Sequence, residues 1–283
     1  MNETIHAHAT SPMLRALAMI AYDAGAIVLQ HYTEEIVAER KIDQSPVTAA
    51  DRDTERFILK RLAQLAPNVP IIAEEEVAAG RIPKIGHRFF LVDPLDGTKE
   101  FISRNGEFTV NIAEIAEGRP VRGVVYAPAR DRLFFGEVLA GAYEAFAPPG
   151  GAPDFAEARE IHARAPGADG LVAAVSRSHA DKKTEEYLAQ YKIKGFVVAG
   201  SSLKFCLVAA GEADIYPRHG RTMEWDTAAG HAILCAAGGS LTTLESKPFN
   251  YGKAAEKFAN PHFVARGLPE VAVAPKPNSG KPL

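Results

Sequence analysis

The chain reads as an α/β protein built in layers, and three features of its pattern say so. Two amphipathic helical stretches and six closely spaced apolar runs fill the first half, and beyond a Pro/Gly-rich stretch at 148–153 strands alternate with helices. That change of pattern puts a boundary near residue 150, between an α+β part (1–150) and an α/β part (151–268). Residues 269–283, rich in Pro, Lys and Gly, read as a loose tail.

Each element has its own signal. Leu14, Leu17, Ile20, Ala24, Ile27 and Val28 share one face of a helix over about 13–32. A second helix opens near Thr48 or Asp51, runs to about Leu65, and carries Phe57, Ile58 and Leu62. Strands follow at 69–73, 89–92, 108–115, 121–126, 133–138 and 141–146, with turn residues between them, as in an antiparallel sheet flanked by the two helices. In the second half the series is strand 172–176, helix 182–190, strand 195–199, helix 201–210, strand 213–216, helix 226–236 and strand 240–243. No internal repeat interrupts this order.

Composition narrows the function. With 283 residues, 47% of them hydrophobic and 24% charged, the chain is long enough for a large core and has the balance of an ordinary soluble protein. A formal net charge of −3 supplies no global field toward nucleic acid or anionic lipid, so an anionic substrate must be drawn in locally. Two cysteines, Cys206 and Cys235, lie in apolar helical runs, which reads as small buried side chains in a reducing compartment. The polar first ten residues and the charges Arg15 and Asp23 within the apolar stretch 14–29 argue against a signal peptide or a membrane span. A cytoplasmic protein is expected, with peripheral attachment to the inner membrane as the alternative.

The most informative segment is Asp93-Pro94-Leu95-Asp96-Gly97-Thr98. A strand should end at Val92, with Pro94 directing the chain out of the sheet and Gly97 permitting a tight turn. Asp93 and Asp96 can then bring two carboxylates to one point, an arrangement that repels itself unless a proton or cation lies between. Such hard oxygen donors suit Mg²⁺, which also recruits phosphate oxygens. The alternative is a surface turn, since Asp, Pro and Gly are turn residues, but the apolar flanks on both sides favour a site. Glu74 is the first residue off the strand ending at Ala73, whereas Glu75 and Glu76 read as a solvated face. Asp226 follows Trp225 at the start of a helix, where an acid caps the backbone and can bind a cation as well. Ser45-Pro46-Val47-Thr48-Ala49-Ala50-Asp51 is a further helix start with a capping acid. From the residues alone these acids could converge or stay apart.

Taken together and in this order, the segments resemble the inositol monophosphatase superfamily of lithium-sensitive, Mg²⁺-dependent phosphatases, and within it the bacterial CysQ type of 3′(2′),5′-bisphosphate nucleotidase. The run from Asp93 to Ile112 and the run Gly200-Ser201-Ser202-Leu203-Lys204-Phe205 carry the resemblance most specifically. It implies a layered α-β-α-β-α sandwich in which Glu74, Asp93, Asp96 and Asp226, with the Leu95 carbonyl, bind two to three Mg²⁺ ions. It further implies that Thr98 and Asp51 orient and help deprotonate the attacking water, with Glu74 beside them, and that the Gly97 and Thr98 amides hold phosphate oxygens. No covalent phosphoenzyme is implied. Loaded with cations, an acidic pocket becomes electropositive, which answers how a protein of net charge −3 binds a multiply charged anion.

The substrate expected is adenosine 3′,5′-bisphosphate or its 3′-phosphoadenylyl sulfate relative, a small molecule and not a nucleic-acid polymer. Ser201, Lys204 and Arg218 match the nucleotidase pattern for the second phosphate, and His179, in Ser176-Arg177-Ser178-His179, could lie beside the base. Lys204 as an exposed helix residue and His179 as a loop histidine are the alternatives. Asp96, Gly97, Thr98, Leu95 and Asp226 would also touch substrate. An inositol 1-monophosphatase or related sugar phosphatase is the competing enzyme, and a metal-dependent binding protein without turnover the competing non-enzyme. A haloacid-dehalogenase phosphatase needs Asp-x-Asp spacing, whereas two residues separate Asp93 from Asp96. Monomer and homodimer stay open.

Overall fold

The computed structural model describes residues 10–34, 36–40, 46–177 and 182–268; the expectations for His179, the motif residues 41–45 and the 269–283 tail lie outside the described residues. Helix α1 (Pro12–Thr33) starts at Ser11, whose Oγ accepts the Leu14 N–H at 3.2 Å, with Pro12 supplying a φ suited to the first turn. After β1 (Ala38–Arg40) and β2 (Pro46–Thr48), α2 (Ala49–Leu65) opens on Thr48. Asp51, at the third helical position, accepts both the Thr48 N–H and its hydroxyl on Oδ2, each at 2.7 Å. Then follow β3 (Ile71–Ala73), the short α3 (Glu74–Ala78), β4 (Arg88–Asp96), α4 (Thr98–Ile102), β5 (Thr109–Ala116), β6 (Arg119–Ala127), β7 (Arg132–Glu137), β8 (Gly141–Phe146) and β9 (Arg159–Ile161). The second half runs β10 (Leu171–Ser176), α5 (Lys182–Leu188), β11 (Ile193–Ala199), α6 (Leu203–Ala209), β12 (Ile215–Arg218), α7 (Glu224–Ala236), β13 (Ser240–Thr243) and β14 (Phe263–Arg266).

β1 and β2 form a separate antiparallel pair; the other strands make a seven-stranded sheet in the order β3-β4-β5-β6-β7-β8-β9 and a five-stranded sheet in the order β11-β10-β12-β14-β13. Helices α1 and α2 cover one face of the first sheet, α7 and α6 lie between the sheets, and α5 packs on the outer face of the second. This is the layered α-β-α-β-α sandwich. The inner layer is the tightest part: a β-carbon added at Gly123 of β6 would lie 2.2 Å from the Ala229 carbonyl oxygen, so α7 rests directly on the sheet backbone. That approach fixes the N-terminus of α7, and Asp226 with it. Among the described residues α1 alone is long and apolar enough to cross a bilayer, and its Leu14, Leu17, Ala21, Ala24 and Val28 are buried against α2 and the first sheet.

Several boundaries differ from expectation for local reasons. Strand β4 does not end at Val92: it runs to Asp96, where pairing with Thr109 resumes after Asp93 has paired with Asn111. Three steps on β4 thus match two on β5, so a bulge absorbs one residue and takes in Pro94, which has no N–H to give to the ladder. Helix α7 begins at Glu224, two residues before the expected start, and α3 and α4 are turns of helix too short to show a periodicity. The first sheet takes β9 from beyond residue 150, so the chain crosses between sheets after Ile161. Both cysteines are free, Cys206 buried and Cys235 half-buried.

Candidate active site

A cleft of about 300 Å³ opens where strands of both sheets end and helices begin. Glu74 enters it from the junction of β3 and α3, Asp96 from the end of β4, Thr98 from α4, Ser201 and Lys204 from the start of α6, Arg218 from β12 and Asp226 from α7. Strand C-termini and helix N-termini meet at one rim, as in many α/β proteins, because consecutive crossovers leave the connecting turns on that side.

The bulge in β4 does the local work. Asp93, 1% exposed, turns beneath the cleft and its Oδ1 accepts the Leu95 N–H at 3.0 Å. Gly97 then takes φ +91°, a left-handed turn that a side chain would disfavour, and delivers Thr98 to the start of α4. The Thr98 hydroxyl lies 3.3 Å from Asp51 Oδ1 and 3.4 Å from the Leu95 carbonyl oxygen. Asp51 itself is 2% exposed, and since its Oδ2 already caps α2, its Oδ1 is held toward Thr98. Asp226 is anchored in the same manner at the third position of α7, accepting the Met223 N–H at 2.8 Å. Its capping role and its place on the cleft coexist.

The acids feel one another strongly. Asp93 is raised well above the ordinary carboxyl value, first by burial and then by Glu74, Asp96 and Asp226. Asp226 is raised by burial, Asp96 and Glu74. Burial lifts Asp96 to about 6, against the pull of the Lys204 ammonium. Such repulsion has a physical remedy in a bound cation, and the donor set, all hard oxygen, suits Mg²⁺. The carboxylates stand around the cleft and do not close on one point: among the described residues no three His, Cys, Asp or Glu side chains converge to enclose an ion. That is compatible with Mg²⁺, which keeps several waters and is held through one or two carboxylates plus substrate oxygens.

The opposite wall is cationic. Lys204 is 3% exposed, which excludes the exposed-helix alternative; its Nζ donates to the carbonyls of Ser201 (2.6 Å) and Ala199 (3.1 Å) and lies 5.3 Å from the Tyr216 ring centroid. Burial pushes its ammonium down to about 8. Two buried polar atoms here have no hydrogen-bond partner, the Ser201 Oγ and the Arg218 Nε. Orphaned buried donors are costly and mark a place where a ligand acceptor belongs.

Two residues of this neighbourhood carried no expectation. Glu55, on the same face of α2 as Asp51, accepts the N–H groups of Glu75 (2.7 Å) and Glu76 (2.9 Å) and so ties down the turn that bears Glu74. Its signal was present as an acid four residues after Asp51 on a face that had to be buried. Tyr216 sits under Lys204, and only the meeting of β12 with α6 makes that contact.

Residues 9–272 match the model of the Inositol monophosphatase family. Among curated relatives, the 3′(2′),5′-bisphosphate nucleotidase CysQ of Shigella flexneri is 44% identical over 253 residues, covering 89% of this chain and 98% of that protein. The protein of the same name from Escherichia coli strain K12 matches to the same extent. Among solved structures, CysQ from Bacteroides thetaiotaomicron, described as a bacterial member of the inositol monophosphatase family, superposes with a TM-score of 0.76 at 36% identity, over 91% of this chain and 98% of its own.

Proposed function

Because the chain belongs to the inositol monophosphatase family, we propose that its cleft hydrolyses the 3′-phosphate of adenosine 3′,5′-bisphosphate, giving AMP and inorganic phosphate. The protein is a phosphoric monoester hydrolase of the 3′(2′),5′-bisphosphate nucleotidase kind. The observation that carries the substrate reading is the division of one cleft into an acidic end and a cationic end. Glu74, Asp96, Thr98 and Asp226 line the first; Ser201, Lys204 and Arg218, with two unpartnered polar atoms among them, line the second. A molecule with two phosphates answers both ends. 3′-Phosphoadenylyl sulfate, with a sulfated 5′-phosphate, is a related candidate.

Mg²⁺, in two to three ions, would be held by Glu74, Asp93, Asp96 and Asp226 with the Leu95 carbonyl; when bound it supplies Lewis-acid charge to the phosphate and to the attacking and leaving oxygens. The chain's own groups do the rest. The Thr98 hydroxyl, donating to Asp51 Oδ1, turns its lone pairs outward to accept a proton from the attacking water. As it does so it passes its own hydroxyl proton to Asp51 Oδ1, which the Thr48 bonds to Oδ2 hold in place to receive it. The Gly97 and Thr98 amides, at the turn into α4, would hold oxygens of the scissile phosphate, and Lys204 and Arg218 would hold the second phosphate as a compact charge and a fork. We read the enzyme as cytoplasmic; the apolar face of α1 is buried against α2 and the first sheet.

The direct test compares kcat/KM for adenosine 3′,5′-bisphosphate and inositol 1-phosphate in Mg²⁺. One or two charge-assisted hydrogen bonds to the second phosphate predict a preference of roughly 10- to 100-fold for the nucleotide; equal values overturn this substrate choice. A pH profile tests the cationic end separately. Lys204 attracts phosphate only when protonated, and burial has brought its ammonium down to about 8. The expected kcat/KM for the bisphosphate therefore declines as pH rises through about 8, while that for a monophosphate stays flat there. Parallel profiles for the two substrates would remove Lys204 from the second-phosphate site.

A further inference from the structure

The loop that presents Ser201 and Lys204 is held from outside the cleft. Glu107, buried just before β5, does not line the cleft. Its Oε2 accepts the Gly200 N–H at 2.9 Å and the Arg177 Nε at 2.7 Å, while its Oε1 accepts Arg177 Nη2 at 2.8 Å and Arg130 Nη2 at 3.2 Å. One carboxylate of the first sheet thus takes donors from the ends of two strands of the second, β11 through Gly200 and β10 through Arg177. Both ends lead straight to the cleft wall, at Ser201 and Ser176. The contact is close: a β-carbon on Gly200 would fall 2.7 Å from the Glu107 carbonyl oxygen and 2.7 Å from Glu100 Cγ.

The residue between these anchors is under strain. Ser201 has φ +45°, a left-handed backbone that a β-carbon disfavours and that persists only where neighbours impose it. They do so from both sides, since the Gly200 N–H is fixed by Glu107 and the Ser202 N–H by Asp96 Oδ2 at 2.6 Å. The Ser202 hydroxyl adds contacts with Asn111 (2.7 Å) and Thr109 (2.8 Å) of β5. In that conformation the Ser201 carbonyl receives Lys204 Nζ, and its Oγ stays buried and unpartnered. Asp96 belongs to the reaction end. Glu107 is the anchor that belongs to neither end.

We propose that Glu107 is a positioning residue for substrate specificity: by clamping Gly200 and Arg177 it keeps Ser201 left-handed and Lys204 aimed, and so sets the grip on the second phosphate without touching substrate. This rests on the bisphosphate reading above. Removing the carboxylate frees the Gly200 N–H and the Arg177 fork, lets Ser201 relax, and moves the carbonyls that orient Lys204. The reaction end is built on β4, α2 and α4, and where it meets this loop, at the Ser202 N–H on Asp96 Oδ2, Ser202 is held by its own hydroxyl contacts with Asn111 and Thr109.

The experiment measures steady-state kinetics of Glu107→Ala and Glu107→Gln on adenosine 3′,5′-bisphosphate and on adenosine 3′-monophosphate, with melting temperatures alongside. Glu107→Ala is expected to raise KM for the bisphosphate at least about tenfold with kcat within about twofold, and to change kcat/KM for the monophosphate by less than about threefold. Glu107→Gln keeps an oxygen for the Gly200 N–H and should bring KM back to within about threefold of the parent. Equal losses on both substrates, a fall in kcat, an unchanged KM, or a glutamine variant as impaired as alanine would each overturn the proposal and leave a brace between sheets. If the unsubstituted enzyme itself has equal kcat/KM for both substrates, the second-phosphate reading fails first, and the specificity role falls with it.

Discussion

Asp93→Asn is expected to lower kcat/KM in Mg²⁺ by at least about a thousandfold while making the metal-free protein melt at a higher temperature. The loss follows from what a held cation is asked to supply, several kcal/mol of charge stabilisation in the transition state, with about 1.4 kcal/mol for each factor of ten. The gain follows from the site's own repulsion. Asp93 is buried and surrounded by Glu74, Asp96 and Asp226, so without a cation its charge works against folding. Asparagine retains an oxygen for the Leu95 N–H and removes only the charge. In the parent, Mg²⁺ should raise the melting temperature, because an ion that binds only the folded state stabilises it. In Asp93→Asn that rise should be mostly lost. Scanning calorimetry with and without Mg²⁺ reads both parts. A variant that keeps its activity, or that keeps the full Mg²⁺-induced rise, would take Asp93 out of the metal site.

Thr98→Ala carries the second large effect, a fall in kcat of about 10²–10⁴, with KM and melting temperature nearly unchanged. The hydroxyl and the γ-methyl are lost, and Thr98 is not among the buried core residues, so little packing goes with them. Thr98→Ser restores the hydroxyl and should recover most of the rate. Asp51→Asn should depress kcat comparably, and it should also cost stability, because Asp51 Oδ2 accepts two bonds from Thr48 at the start of α2. Rapid-quench and steady-state rates, set beside melting curves, separate the two variants. If Thr98→Ala turns over within about threefold of the parent, the pair has no part in activating water.

The helices and most strands were legible in the sequence because their signals are local. The spacing of Leu14, Leu17, Ala24 and Val28 makes one buried face, and Ser11-Pro12 starts it. The motif beginning at Asp93 stood out from an ordinary surface turn of Asp, Pro and Gly through the apolar residues on both of its sides. What stayed hidden has a non-local cause. No pattern in 88–96 says that β4 resumes pairing after Pro94; that depends on β5 lying alongside, with Thr109 opposite Asp96. Nothing local says that a strand at 159–161 extends the first sheet. Glu107 reads as one charge in a turn, and its meaning comes from Gly200 and Arg177, separated from it by 93 and 70 residues.

By itself, then, the sequence determined the types of donor available and the layered α/β class, since side-chain chemistry and 3.6- or 2-residue periodicity are carried by neighbours along the chain. Only the tertiary structure decided that Glu74, Asp96, Thr98 and Asp226 line one cleft, that Lys204 is buried against Tyr216, and that Ser201 is forced into a left-handed turn. The reason is that charge repulsion, desolvation and backbone strain depend on distances between segments far apart in the chain, and those distances exist only once two sheets and three layers of helix have packed.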